Sequence, residues 1–270
     1  MSQARASGSS PTLLWILAFA AVISHLPAVG FDFAQDDFAS LLRAADPDAA
    51  PAPAARAFTT TVPWTVGWML FGSDPQPFHG MSLLLLAGIA VLAGRIALRL
   101  GAETAGALLA GFLVLLGPAT ALPVAWVSAS NELWAALFAL AALDRWLARG
   151  TAVNVVAATV LAILSFHSKE PALALAVGFA LATRWFVGEE DRGLRRARRV
   201  LTATAFVAAI HAGARIVTAF RPQGDGAYAV AAPGEIVVNL LRLIGWAAWP
   251  WGGAPPEAGV ATGLGGAIVV

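Results

Sequence analysis

Long apolar runs separated by short polar turns govern this chain. Residues 12–29, 81–100, 104–123, 132–148, 152–167, 171–187, 200–220 and 236–250 each read as an apolar stretch with few charges. The hydrocarbon core of a bilayer takes about 20 apolar residues per helix, so the pattern predicts about eight membrane spans. The runs at 132–148 and 152–167 are short for a full crossing and fit tilted or re-entrant helices beside a cavity. Residues 258–270 read as the opening of another span, incomplete from 258, so the pattern predicts a fragment or truncated product. The expected fold class is all-α: a polytopic transmembrane helical bundle forming one domain over 1–270. Its first outer loop, 31–80, is expected to carry short interfacial helices, among them Phe38 to Ala45.

The first run also has the look of a cleavable signal, with Ala28-Val29-Gly30 offering small residues to a peptidase. Either reading delivers Phe31 onward to the outside. Composition agrees with a membrane chain: 59% of residues are hydrophobic, 12% are charged and the mean hydropathy is +0.73, against about 25% charged in soluble domains. The net charge of +1 and the scattered arginines argue against a nucleic-acid partner. No cysteine is present, which excludes disulfides and thiolate chemistry. Several of the 10 tryptophans, Trp64, Trp68 and Trp126 among them, sit where apolar runs end and suit an interfacial aromatic belt.

Cytoplasmic loops retain Lys and Arg, and this sets an orientation. With the N-terminus inside, Arg95, Arg99, Arg145, Arg149, Arg184 and the basic loop 188–199 are cytoplasmic. The rarer polar groups then gather on the outer face: Asp36 and Asp37, Asn131 and Glu132, the segment His167-Ser168-Lys169-Glu170, and Arg221. An integral, multi-pass membrane protein is expected, with its chemistry on the non-cytoplasmic face.

Asp36 and Asp37 stand at the mouth of the first span, where a carboxylate is expensive to keep without a task. Adjacent residues on a helix point about 100° apart, so one faces a cavity as a candidate general base while the other caps or pairs locally. Capping of a short helix accounts for the pair equally well. Lys169, the only lysine, suits a phosphate oxygen, with Glu170 beside it to neutralise or orient it; a polar turn with a surface ion pair is the plain alternative. Arg56 and His79 flank the second span, Arg215 lies inside the seventh, and Glu132 reads as a cap of the fourth. No zinc spacing, phosphate-binding glycine loop or G-x-S-x-G occurs.

Four segments, in order, resemble the polytopic glycosyltransferases of the GT-C superfamily, in the protein O-mannosyltransferase-like branch and its bacterial relatives. These are FDFAQDDF (31–38), RAFTTTVPWTVGWMLFGSDPQPFHGMSLLLL (56–86), LLGPATALPVAWVSASNELWAALFALAAL (115–143) and SFHSKEPALAL (165–175). Three positions depart from the pattern: Ser130 where a basic residue is frequent, Glu132 where Asp is common, and Gly80-Met81-Ser82 where an Asn follows the histidine. The resemblance implies transfer of a sugar from a polyprenyl-phosphate-sugar donor to a protein, lipid or glycan acceptor, with inversion. It makes Asp36 or Asp37 the base. Arg56, Lys169, Arg215 and Arg221 would hold the leaving phosphate, and His79, Glu132, His167 and Glu170 would line the substrate site. A divalent cation, Mg²⁺ or Mn²⁺, suits oxygen ligands such as Asp36 and Glu170 but is not required. Two other classes stand beside this one: a secondary transporter, which also uses short helices and buried charges, and an inactive membrane scaffold.

Overall fold

The computed structural model describes residues 11–46, 48, 57–148 and 151–169. These residues are helical, with no strand among them. The predicted spans 171–187, 200–220 and 236–250 lie outside the described residues, as do Arg56, Glu170, Arg215 and Arg221.

Helix α1 (Pro11–His25) continues as a 3₁₀ helix, Leu26–Gly30. Together they extend about 32 Å, enough to cross a hydrocarbon core. After a short extended stretch come α2 (Asp36–Ala45) and α3 (Ala57–Phe71), and then α4 (Pro75–Arg99), about 37 Å long. The Asp74 carboxylate accepts from the Gln76 N–H at 3.1 Å and Pro75 opens the first turn, so α4 begins six residues before the apolar run suggested. Helix α4 thus takes up the last residues of the stretch expected as the loop 31–80, and α2 and α3 occupy much of the rest.

The expected span 104–123 is broken in two. Helix α5 (Thr104–Leu116) stops, Gly117 is extended at φ −64° and ψ 132°, and α6 (Pro118–Ala125) starts afresh. A proline pushes the residue before it out of the α region and cannot itself donate to the preceding turn, which explains the break. A 3₁₀ turn, Val127–Ala129, leads into α7 (Ser130–Leu147), and α8 (Ala152–Phe166) follows, capped by the Thr151 hydroxyl accepting from the Asn154 N–H.

Helix α4 is the centre of the bundle, packed against α1, α5 and α7, with α8 on the far side of α7. Small residues permit the closest of these approaches. Leu17 of α1 is fully buried between Gly94 of α4 and Gly111 of α5, where an added Cβ would meet its methyl carbons at 2.8 and 2.5 Å. Ala90 and Gly94, with Ala107 and Gly111, give each helix a small-xxx-small face that lets the backbones approach. A second apolar cluster of Leu41, Ala44, Trp64, Phe78 and Val127 seats α2 and α3 on α4. Trp64 is buried in it, so it packs between helices instead of joining an aromatic belt.

The outer faces of the helices are apolar. Trp15, Phe19 and Ile23 on α1, Leu109, Leu113 and Leu116 on α5, and Val153, Val156 and Val160 on α8 are all at least half exposed, in rows spaced three or four residues apart. Contiguous apolar surface of this kind on helices this hydrophobic fits a lipid environment. Two helices, Thr12–Gly30 and Pro75–Arg99, are long and apolar enough to cross a membrane, with mean hydropathies of 2.0 and 2.2.

Candidate functional site

The acidic turn after the first span divides its two carboxylates between different tasks. Gln35, at φ 45° and ψ −110°, is the one non-glycine residue among those described with a positive φ. It sits in a tight turn closed by the Asp37 N–H donating to the Ala34 carbonyl at 2.9 Å. The Asp37 carboxylate returns the bond, its Oδ2 accepting from the Ala34 N–H at 3.0 Å, while Oδ1 accepts from the Ser128 N–H at 2.7 Å. Asp37 is 0% exposed. Its carboxylate thus meets two backbone donors and sits in the first turn of α2. Asp36, one residue earlier and about 100° round the helix, is exposed. The same substitution of partners explains both: Asp37 fastens the turn to the α6–α7 junction, and Asp36 is left facing outward from a rigid mount.

That junction anchors further groups. The His79 ring is fully buried, and its Nδ1 lies 3.2 Å from the Val124 carbonyl, which can only accept, so Nδ1 carries hydrogen. His79 thus ties α4 to α6, and the edge of Phe31 packs on it with ring centroids 6.2 Å apart. One helical turn beyond Ser128, about 6 Å along the chain's path, Glu132 opens α7 and meets the Lys169 ammonium at 3.5 Å. The Glu132 side chain is 49% exposed and that of Lys169 22%, so the pair adds little stability. Glu132 therefore pairs with Lys169; the N-cap position of α7 is Ala129, with no side-chain cap. Lys169 reaches it because the end of α8 is held at both sides. The Ser165 hydroxyl donates to the Ala135 carbonyl of α7 at 2.8 Å, and the Thr59 hydroxyl of α3 donates to the Ser168 carbonyl at 3.1 Å. His167 closes the C-terminal end of α8, its N–H donating to the Ile163 carbonyl at 3.0 Å.

The chain's polar groups from positions 36–37, 79, 132 and 167–169 consequently lie at one end of the bundle. Four atoms along the same junction are buried and have no hydrogen-bond partner among the described residues: His79 Nε2, Trp126 Nε1, Ser128 Oγ and Asn131 Oδ1. Leaving such atoms unbonded costs about 1–3 kcal/mol each, a cost that falls on this junction. Trp126 and Ser128 had no distinguishing spacing in the sequence; only the turn between two helices brings them beside Asp37.

Next to this polar end lies an apolar cleft of about 240 Å³, lined by residues of α3 and α4 and by Trp134 of α7. Pro63 lies inside α3, and Gly67 lets the helix close on Phe78, where an added Cβ would strike the ring at 2.5 Å. At one wall Phe58 meets Trp134 edge to face, and Phe138 behind them stacks on Trp134, with ring centroids 5.4 to 5.7 Å apart in the trio. The cleft's lining includes Trp134 near the start of α7 and Phe58 of α3, which is adjacent to the Thr59 that bonds Ser168.

Among the described residues no three His, Asp or Glu side chains gather as a metal site; Glu170, one of the ligands expected for a divalent cation, lies outside them. No family model matches the chain, and no curated protein or solved structure is significantly similar to it.

Proposed function

We propose that the chain is a multi-pass membrane glycosyltransferase of the GT-C kind that moves a sugar from a polyprenyl-phosphate carrier to an acceptor hydroxyl at the non-cytoplasmic face. The observation that carries the proposal is the division of the acidic pair: a buried Asp37 docks the turn onto the α6–α7 junction and leaves Asp36 exposed, at the same end of the bundle as the Glu132–Lys169 pair. The ordered resemblance over 31–175 supports the same reading.

In the proposed reaction Asp36 takes the acceptor hydroxyl proton as its oxygen bonds to the anomeric carbon. The bond from that carbon to the phosphate oxygen breaks on the opposite face, inverting the configuration, and its electron pair leaves with the phosphate. Lys169 stabilises that developing charge, an electrostatic contribution of about 3 kcal/mol for a well-placed donor. Glu132 holds the ammonium in position. The apolar cleft suits the first part of the lipid chain. Such a donor belongs to a cell-envelope setting, in a bacterial inner membrane with the site toward the periplasm.

The test uses membranes containing the full chain, a labelled polyprenyl-phosphate hexose, and the variants Asp36→Asn and Lys169→Gln. Transfer of label to a glycoside that falls at least about a hundredfold in Asp36→Asn supports the assignment. Uptake of a solute into vesicles with no glycoside formed would establish a transporter in its place.

A further inference from the structure

The opposite end of the bundle carries a second charged assembly that the proposed reaction does not use. Helices α4 and α7 run parallel, since both begin at the His79–Val124 junction and both end where Arg95 and Arg99 meet Asp144. The two ends of α4 are about 24 Å apart from His79 to Arg95. Asp144 is buried, its side chain 3% exposed, and it receives one nitrogen from each arginine: Arg99 Nε at 2.6 Å on Oδ1 and Arg95 Nη2 at 3.1 Å on Oδ2.

One carboxylate against two guanidinium groups leaves a net positive charge. A guanidinium carries five N–H donors, and Asp144 engages a single nitrogen of each. The arginine side chains are 32% and 34% exposed, so the rest of each fork is within reach of a ligand. Arg145, next along α7, is exposed as well, and Leu100, directly after Arg99, presents an apolar side chain. Glu103, exposed in the turn before α5, is the other acid at this end among the described residues. A cationic fork held rigid by a buried acid, beside exposed apolar side chains at the end of a membrane-length helix, matches a bilayer phosphodiester at the headgroup level.

From this charge complementarity we infer that Arg95, Arg99 and Arg145 form a binding site for the phosphate of an anionic membrane lipid. Asp144 positions the fork, and the bound headgroup fixes the depth and tilt of α4 and α7. The inference rests on the membrane reading of the chain but not on the sugar-transfer reading, because the site lies at the far end of the bundle.

The purified full chain is placed in phosphatidylcholine bilayers, and the association of spin-labelled phosphatidylglycerol is compared with that of spin-labelled phosphatidylcholine. The wild type is expected to favour phosphatidylglycerol, and Arg99→Gln to lower that preference about fivefold, the value of one basic residue near an anionic headgroup. Arg145→Gln, outside the Asp144 pair and harmless to it, is expected to lower the preference in the same direction. Glu103→Gln is expected to raise it. Equal association of the two lipids with the wild type, or a preference unchanged in both arginine variants, would overturn the inference. Displacement of the labelled lipid by inorganic phosphate at equal concentration would also overturn it, by making this a site for a soluble anion. Failure of the chain to enter the neutral bilayer would remove the membrane reading and the inference together.

Discussion

Replacing Asp37 by alanine removes the acceptor for two backbone donors, the Ala34 and Ser128 N–H groups at 3.0 and 2.7 Å. Hydrogen bonds to a charged group contribute about 1.5–3 kcal/mol each, so their loss alone amounts to roughly 3–6 kcal/mol. Part is returned, because a carboxylate that is 0% exposed no longer has to be desolvated. The net expectation is a destabilisation of about 3 kcal/mol. Asp37→Asn keeps one acceptor oxygen but turns an amide N–H₂ toward the second donor, and should cost about half as much. The effect is local and has a local readout. Amide hydrogen exchange at Ala34 and Ser128 should accelerate about a hundredfold in Asp37→Ala, while amides in the middle of α4 change little. An Asp37→Ala protein within about 0.5 kcal/mol of wild type, with both amides still protected, would refute the assignment of Asp37 as the fastener of the loop.

Three other substitutions probe the same architecture. Gln35→Gly should stabilise the protein by about 1 kcal/mol in an equilibrium unfolding titration, since glycine adopts φ 45° and ψ −110° without the steric cost that glutamine bears. Asp144→Ala leaves Arg95 and Arg99 facing each other without their shared acceptor. It should lower stability by about 2–3 kcal/mol, the two arginines being one-third exposed and able to recover some hydration. Gly111→Ala forces the Leu17 methyl groups aside and crowds the Ala90 carbonyl, 3.1 Å from the added Cβ; a loss of about 1–3 kcal/mol is expected, read by thermal unfolding in detergent.

Much of the helical layout was legible because hydropathy alone marks membrane-length segments. The runs at 12–29, 132–148 and 152–167 correspond within two residues to α1 with its 3₁₀ extension, α7 and α8. Helix α3 was less visible, since its threonines and Pro63 interrupt the apolar pattern, and only the resemblance over 56–86 pointed to a helix after Arg56. The break at Gly117 was signalled by Pro118 but masked by the unbroken hydrophobicity of 104–123. The acidic pair was read as one carboxylate facing a cavity and one capping or pairing locally; the structure leaves Asp36 exposed and outside the described cleft, and engages Asp37 both locally, at Ala34, and with Ser128, 91 residues away. Lys169 with Glu132 illustrates the same limit: two groups 37 positions apart meet only through the hydroxyl contacts that hold α8 against α7 and α3. Arg95 and Arg99 were read for topology alone. Their spacing of four placed them on one face of α4, yet nothing in the chain's order indicated that Asp144 would lie buried between them.

One comparison tests the proposed base Asp36 and its fastener Asp37 together. Initial rates of hexose transfer from a polyprenyl-phosphate donor are measured for wild type and Asp36→Asn, with exchange protection at the Ser128 amide recorded on the same samples. The account predicts a rate at least about a hundredfold lower with Ser128 protection intact. Wild-type turnover in Asp36→Asn, with the junction equally protected, would contradict it.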